Sequence, residues 1–145
     1  MCSSDLADYF TRRTVQGRGP VSWWHNREFR PQDAGYTDDL ITRRALEFMR
    51  ANREVPFFCY VPFHLVHAPL QAKDEDLAEL EPTIGDGLPA ASPKATPELR
   101  RIHAAMLRAL DRNVALIVAE LEQLGLGEDT ILVDRKSTRL NSSHT

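Results

Sequence analysis

The sequence predicts an α/β fold in which helices cover a parallel sheet. Three observations favour this class: the apolar run VPFFCYVPF at residues 55–63, a long amphipathic pattern at residues 97–124, and a second apolar segment, EDTILV, at residues 128–133. A strand, a long crossover and a second strand, in that order, are typical of a right-handed parallel β-α-β unit. A strand as continuously apolar as residues 55–63 is expected to be buried on both faces.

The two ends of the chain resemble a translated sequencing adapter. The tail DRKSTRLNSSH, residues 134–144, can be encoded by such an adapter in one frame, and the head MCSSDL can be encoded by the reverse complement of its first bases. Two matches to one oligonucleotide in opposite orientations are hard to explain otherwise. We therefore expect an adapter-derived head at residues 1–5, a partial domain at residues 6–133, and an adapter-derived tail at residues 134–145.

The composition excludes several classes of function. The chain has 18 Lys and Arg against 21 Asp and Glu, a formal net charge of −3, so we expect no nucleic-acid partner. No apolar run approaches the roughly 18 residues that a membrane span needs. Of the 2 cysteines, Cys2 lies in the predicted head. Cys59 lies in an apolar run, where a cysteine is more often a small buried hydrophobe than a nucleophile.

Residues 6–35, from the start of the predicted domain to the glycine before the first helix, have little periodicity. The segments GRGP and RPQDAG, with their glycines and prolines, predict loops. Trp23, Trp24 and Phe29 lie between these two segments, and exposed aromatic residues of this kind usually cover a core, which a fragment of a larger domain can lack.

The pattern becomes helical at residue 37. Thr37 is a suitable N-cap, and Asp38 and Asp39 suit the positive end of the helix dipole. Adjacent acidic residues at a helix start are far more often dipole partners than metal ligands, so we prefer the first interpretation. The helix is expected to end near Asn52, and its predicted apolar face consists of Leu40, Ile41, Ala45, Phe48 and Met49.

A second and longer helix is predicted before the last apolar segment. Thr96 is a good N-cap, Pro97 suits the first helical position, and Gly125 suits the position after the end. Between the two helices, the acidic residues 73–82 predict one or two helical turns, and the Gly/Pro/Ser-rich residues 83–95 predict a loop that could form a substrate-binding rim. The predicted apolar face of the long helix consists of Leu99, Ile102, Met106, Leu110, Val114, Ile117, Leu121 and Leu124.

Two histidines, His64 and His67, follow the first predicted strand in the segment PFHLVHAPL. In open α/β sheets, ligands bind beyond the carboxyl ends of the strands. The residues alone leave three interpretations open: polar side chains satisfied within a turn, a zinc pair, or catalytic groups. A zinc pair at this spacing needs a helical turn, which Pro62 and Pro69 disfavour.

Three segments together resemble the sulfatase family, and in particular arylsulfatases of the type that acts on N-acetylgalactosamine 4-sulfate. They are GYTDDLITRRALEFM, then PFFCYVPFHLVHAPLQA, then IHAAMLRALDRNVALIVAELEQLGLGEDTILV. Their common order and spacing are more specific than any one of them. Two positions depart from the family pattern: His103 stands where a tyrosine is usual, and Ala115 where a glycine is usual.

The resemblance implies a fragment of an alkaline-phosphatase-like parallel-sheet α/β sandwich that hydrolyses sulfate esters. It also implies Ca²⁺ and a formylglycine nucleophile in the parent enzyme. The positions of the nucleophile and the calcium ligands are not contained in this chain, so we expect the fragment to bind neither and to be inactive alone. His67 matches the family's sulfate-binding histidine and is the one catalytic residue that we predict. His64 stands at a position that varies in the family.

Two alternatives to a sulfatase remain open at this stage. The parent enzyme could be a phosphate ester hydrolase of the same superfamily, or the chain could be a non-catalytic binding domain. The missing nucleophile motif would separate the two enzymes. The resemblance suggests a periplasmic, secreted or lysosomal protein, and it leaves the substrate and the oligomeric state undetermined.

Overall fold

The computed structural model describes residues 8–14, 18–80 and 96–134. Two short antiparallel strands, β1 (Trp24–His25) and β2 (Glu28–Phe29), come first in the described chain. They are followed by the helices α1 (Thr37–Asn52), α2 (Asp74–Ala78) and α3 (Pro97–Gln123). The predicted rim loop at residues 83–95, the predicted head, and all but the first residue of the predicted tail lie outside the described residues.

Helix α1 has the predicted extent but not the predicted N-cap. The cap position is Tyr36, and no side chain caps the helix there. The Thr37 hydroxyl instead donates a hydrogen bond to the carbonyl oxygen of Tyr9 at 2.7 Å. The prediction of Thr37 as the cap is therefore wrong, because a distant carbonyl group competes for its hydroxyl.

Both ends of α3 follow the local signals in the sequence. The Thr96 hydroxyl accepts a hydrogen bond from the backbone N–H of Leu99 at 3.2 Å, and Pro97 opens the helix. Gly125 has a φ of 72°, a left-handed conformation that glycine adopts without a steric penalty. The N–H of Leu126 then donates to the carbonyl oxygen of Leu121 at 2.9 Å, which closes the helix in a Schellman motif.

The buried face of α3 differs from the predicted apolar stripe. Leu99 and Val114, which we expected to be buried, are 37% and 40% exposed. Two polar residues, Asn113 and Glu120, are buried instead. Both have partners on α1, because Asn113 donates to Asp39 and Glu120 binds Arg50 through two hydrogen bonds of 2.7 and 2.6 Å. The Arg50 guanidinium lowers the pKa of Glu120.

The apolar core consists of two clusters along α3. The first, called the loop cluster below, contains Tyr9, Tyr36, Leu65, Met106 and Ala109. The second, called the helix cluster, joins α1 to the later turns of α3 through Ala45, Met49, Ile117 and Leu121. Helix α3 thus supports two different parts of the chain.

Residues 55–63, called the extended segment below, run without a paired strand among the described residues. Alternate side chains pack against the helix cluster, namely Phe57, Cys59, Val61 and Phe63. The opposite face is open to solvent: Phe58 is 87% exposed and Tyr60 is 76% exposed. The expectation of a strand buried on both faces is therefore wrong for the described residues, which supply the helix layer on one face and no layer on the other.

The second predicted strand, residues 128–133, is also unpaired, and Ile131 is 91% exposed. A strand is defined by backbone hydrogen bonds to a neighbour. Within the part of the chain described here, the sheet consists of the pair β1–β2 alone. The parallel sheet thus remains an expectation.

The hairpin β1–β2 lies in the region that we predicted to be loop. Trp24 pairs with Phe29, and their rings lie 5.1 Å apart. Asn26 has a φ of 56° in the two-residue turn, a conformation that asparagine adopts more readily than most residues. Trp24 is 60% exposed and Phe29 is 46% exposed. Helices long and apolar enough to cross a membrane are absent from the described residues.

Candidate active site

The two histidines lie in residues 64–70, called the histidine loop below, directly after the extended segment. Leu65 anchors this loop in the loop cluster, where it packs with Met106 and Ala109 of α3. Two cis peptide bonds, Leu65–Val66 and Ala68–Pro69, lie in the loop. The burial of Leu65 places the loop against α3. Hydrogen bonds from two other segments fix the backbone of the loop.

The first of these segments is the start of α1. Asp38 is 0% exposed, and its Oδ1 accepts the backbone N–H groups of His64 at 2.7 Å and of Leu65 at 3.3 Å. Burial raises the pKa of Asp38, although the two N–H groups favour its charged form. Its other oxygen, Oδ2, is buried and has no hydrogen-bond partner among the described residues. Asp38 thus holds the beginning of the histidine loop.

The second segment precedes the hairpin and contributes Tyr9. Its hydroxyl donates to the carbonyl oxygen of His64 at 2.7 Å and accepts the backbone N–H of His67 at 3.0 Å. Tyr9 is 2% exposed, and burial raises the pKa of its hydroxyl far above the neutral range. The hydroxyl therefore stays protonated, so that it can donate one hydrogen bond and accept another.

A further set of hydrogen bonds holds Tyr9 itself. Its backbone N–H donates to Gln71 Oε1 at 2.9 Å, and its ring stacks on Tyr36 with centroids 5.3 Å apart. The Tyr36 hydroxyl donates to the carbonyl oxygen of Gln71 at 2.7 Å. Gln71, the residue that follows the histidine loop, is therefore tied to both tyrosines, to Tyr9 through its side chain and to Tyr36 through its carbonyl oxygen.

Charged groups fix the segment that follows the loop. The Lys73 ammonium lies 2.7 Å from Asp39 and 3.6 Å from the buried Asp76, and Arg112 of α3 binds Asp76 at 2.6 Å. Burial opposes the charged form of Lys73, but its hydrogen bonds to Asp39 and Glu75 raise its pKa. This network joins α1, α2 and α3 beneath the loop.

The two imidazole rings have different surroundings. His67 is partly exposed, and its Nδ1 lies 3.1 Å from the carbonyl oxygen of Ala68. A carbonyl oxygen can only accept a hydrogen bond, so this contact requires a proton on Nδ1. His64 lines a groove of about 520 Å³ together with Trp23, Phe58 and Tyr60. The lining of that groove does not include His67.

Neither the acidic pair nor the cysteine fits the cofactors that the resemblance implies. One oxygen of Asp38 accepts two loop N–H groups, and the two oxygens of Asp39 bind Lys73 and Asn113. In residues 8–14, 18–80 and 96–134, no three His, Cys, Asp or Glu side chains come together as a metal site. Cys59 lies in the extended segment, and burial raises the pKa of its thiol, which disfavours the reactive thiolate. We therefore assign no calcium or nucleophile position to the residues that the structure describes.

Sequence reasoning missed the residues that hold the histidine loop. Asp38 was interpreted as a dipole partner of its own helix, and it does lie in the first turn. Its carboxylate, however, binds backbone groups 26 residues further along the chain. Tyr9 was given no role. The only sequence signal was a buried-type aromatic residue in a stretch without periodicity, which does not identify a partner.

The chain is similar to a known protein family and to a solved structure. The family model described as Sulfatase matches residues 2–133. A solved structure, that of Ps i-CgsB in complex with k-i-k-neocarrahexaose, is similar over 66% of this chain, with 31% sequence identity and a TM-score of 0.50. The chain spans 19% of the length of that protein.

Proposed function

Because the chain belongs to the sulfatase family, we propose that it is part of an enzyme that hydrolyses sulfate esters, with His67 assisting departure of the leaving group. The observation that carries this proposal is the family match over residues 2–133. The geometry adds support, since His67 lies on a loop whose backbone is held by Asp38 and Tyr9.

The chemistry of sulfate ester hydrolysis suits a histidine at this position. As the S–O bond breaks, negative charge grows on the bridging oxygen, and an imidazolium can neutralise or protonate it. Histidine changes its charge near neutral pH, so it can donate a proton in one step and accept one in the next. With Nδ1 directed at the Ala68 carbonyl, Nε2 is the ring nitrogen that would donate to the leaving oxygen.

The remaining catalytic parts are proposed to lie outside this chain. Formylglycine would supply the nucleophile, and Ca²⁺ would neutralise the charge of the bound sulfate. Among the described residues, no three His, Cys, Asp or Glu side chains come together as a metal site. We propose that the 145-residue chain alone does not hydrolyse sulfate esters, with or without calcium.

The substrate is proposed to be a sulfated carbohydrate. The solved relative was crystallised with k-i-k-neocarrahexaose, a carrageenan oligosaccharide. The likeness covers 66% of this chain and supports the class of substrate rather than an individual sugar. Aryl sulfates serve as chromogenic substitutes, because their leaving groups can be varied without changing the sulfate.

The proposal is tested in the full-length enzyme that contains this segment. His67→Ala and the matched control His64→Ala are compared on two aryl sulfates, one with a good and one with a poor leaving group. Loss of a positioned proton donor typically lowers the rate by about a hundredfold to ten-thousandfold. We expect His67→Ala to lower kcat by this amount on the poor leaving group and by less on the good one. His64→Ala should lower kcat by less than about tenfold.

Three results would contradict the proposal. The first is a larger loss of kcat in His64→Ala than in His67→Ala. The second is an equal loss on both leaving groups in His67→Ala, with KM alone altered. The third is faster turnover of the matched aryl phosphates than of the aryl sulfates by the unmodified enzyme, which would favour the phosphate ester hydrolase.

A further inference from the structure

The first half of the histidine loop, residues 64–67, is held through its backbone by residues that come from elsewhere in the chain. At its beginning, one oxygen of the fully buried Asp38 accepts two successive N–H groups, those of His64 and Leu65. At the middle of the loop, the Tyr9 hydroxyl contacts His67 through the backbone N–H, at 3.0 Å, and the carbonyl oxygen, also at 3.0 Å. The hydrogen bonds that Asp38 and Tyr9 form with His64, Leu65 and His67 involve the backbone groups of these three residues.

The two supports are themselves connected. Thr37, the residue before Asp38, binds the carbonyl oxygen of Tyr9 through its backbone N–H at 2.8 Å and its hydroxyl at 2.7 Å. Any shift of Tyr9 is therefore passed to the start of α1, which carries Asp38. Buried polar groups that satisfy one another in this way define one arrangement of the backbone, because each displaced group would lose its partner.

We propose that Asp38 and Tyr9 are positioning residues that fix the direction of the His67 side chain by holding the backbone of residues 64–67. This inference rests on the proposed function, in which His67 acts on the leaving group. Neither residue is a catalytic group in this scheme, because each acts on the reaction through His67. Misplacement of a reacting group by about 1 Å can lower a rate by a factor of about 100.

The substitutions are chosen to separate the hydrogen bonds from the shape of the side chains. Asp38→Ala removes the acceptor, whereas Asp38→Asn keeps an oxygen that can accept the same two N–H groups. Tyr9→Phe keeps the ring in its stack and removes only the hydroxyl. Tyr36→Phe is the matched control, because its hydroxyl binds Gln71 and not the histidines. Asp39→Asn is the control for Asp38, because Asp39 binds Lys73 and Asn113.

In the full-length enzyme we expect Asp38→Ala and Tyr9→Phe to lower kcat by about tenfold to a hundredfold on an aryl sulfate with a poor leaving group. The loss should be smaller on a good leaving group, and KM should change little. Asp38→Asn should keep kcat within about threefold of the unmodified enzyme. The two controls should stay within the same range, because the contacts that they remove do not reach the reacting group.

A double-mutant cycle decides between positioning and a general effect on folding. If Asp38 and Tyr9 act through His67, then Asp38→Ala or Tyr9→Phe should cause almost no further loss of kcat when His67 is already alanine. A merely structural role predicts the same loss in both backgrounds. If Asp38→Ala does not fold, Tyr9→Phe carries the test, since it preserves the buried ring.

The outcomes also distinguish this inference from the proposed function. A silent His67→Ala overturns the role of His67 in the proposed function, and the positioning role falls with it. A damaging His67→Ala together with a Tyr9→Phe variant that matches Tyr36→Phe overturns the positioning role alone. Equal losses in the presence and absence of the His67 side chain overturn it as well.

Discussion

The histidine loop and the extended segment are consecutive in the chain, yet their backbones are held in different ways. In the loop, His64, Leu65 and His67 all donate backbone hydrogen bonds to identified partners. In the extended segment, the backbone N–H groups of Phe58 and Tyr60 have no partner among the described residues. The loop is thus held by contacts made within this chain, whereas the extended segment has no neighbouring strand at its backbone edge among the described residues.

This difference separates two requirements for an active site. The first is the local geometry of the reacting side chain, which buried polar groups can fix over a short distance. The second is the sheet that sets this geometry against the rest of the site, and a sheet needs adjacent strands. The described residues meet the first requirement, and the family fold would meet the second through the parallel sheet that we expect.

The largest effect is expected from a cavity beneath the histidine loop. Met106 is 0% exposed and belongs to the loop cluster. Met106→Ala should reduce the free energy of unfolding by about 2–5 kcal/mol, because it removes buried apolar atoms and leaves a void. The matched control is Leu107→Ala on the same helix, where the side chain is 46% exposed and the change should stay within about 0.5 kcal/mol. Urea unfolding of the full-length protein measures both.

If the two alanine variants are equally stable, the loop cluster does not support the loop in the way described. Amide hydrogen exchange at His64 and Leu65 provides a second reading. Exchange at these two positions should accelerate in Met106→Ala and remain unchanged in Leu107→Ala, since local protection follows the packing beneath the loop.

A change of pH is expected to have an intermediate effect on the free energy of unfolding, because Asp38 titrates. Burial raises the pKa of this carboxyl in the folded protein, so the folded state binds a proton more tightly than the unfolded state does. Its contribution to stability is therefore fully present below the unfolded pKa and is lost as pH rises through the folded pKa. Asp38→Asn lacks this titration. The unfolding free energy of Asp38→Asn minus that of the unmodified protein should thus increase across this interval.

The measurement is a pair of urea titrations at several pH values, from about pH 3 to about pH 8 in steps of about one unit, which begins below the ordinary aspartate pKa of about 3.9. The difference between the two proteins removes the contribution of all other titrating groups that both share. A difference that stays constant or decreases with pH would show that Asp38 is not held with a raised pKa.

The smallest effect on folding is expected from a substitution on the exposed face of the extended segment. Such a substitution should mainly change solubility. Phe58 is 87% exposed, while Phe57 packs against the helix cluster and lies 5.6 Å from Phe48, ring to ring. We expect the 145-residue chain to self-associate through the exposed face, because exposed apolar strands are templates for pairing. Phe58→Ser should reduce self-association with little change in helical content. Phe57→Ser should lower the helical content.

Sedimentation velocity and far-ultraviolet circular dichroism measure these two properties. Equal behaviour of the two serine variants would mean that the two faces of the segment are equivalent, contrary to the description above. In the full-length protein the same Phe58→Ser substitution should become destabilising if a second layer covers this face.

Sequence reasoning succeeded where the signals are local. The Thr96–Pro97 start and the Gly125 end of α3 need only a few neighbouring residues, and both are confirmed. The end of α1 at Asn52 follows from its apolar periodicity and is confirmed as well. The membership of the sulfatase family, inferred from three ordered segments, is also confirmed.

It failed where a distant partner decides the outcome. Thr37 was expected to cap its own helix, but its hydroxyl binds Tyr9, 28 residues earlier in the chain. Asn113 and Glu120 were not expected in the buried face of α3, because their partners lie on α1, 74 and 70 residues away. The role of His67 and the boundaries at residues 5 and 134 stay predictions.

The Tyr9 hydroxyl binds a loop that lies far away in the sequence, which affects the order in which the site can form during folding. It joins residues 58 positions apart, so the histidine loop can be closed only after a long stretch of chain has been brought back on itself. Closing so long a loop is entropically unfavourable until other contacts repay it, and contacts of this kind tend to form late in folding. A synthetic peptide of residues 55–80 would contain both histidines but neither Tyr9 nor Asp38. Such a peptide should sample many loop conformations, so the arrangement of the histidines belongs to the folded domain and cannot be transplanted with the motif.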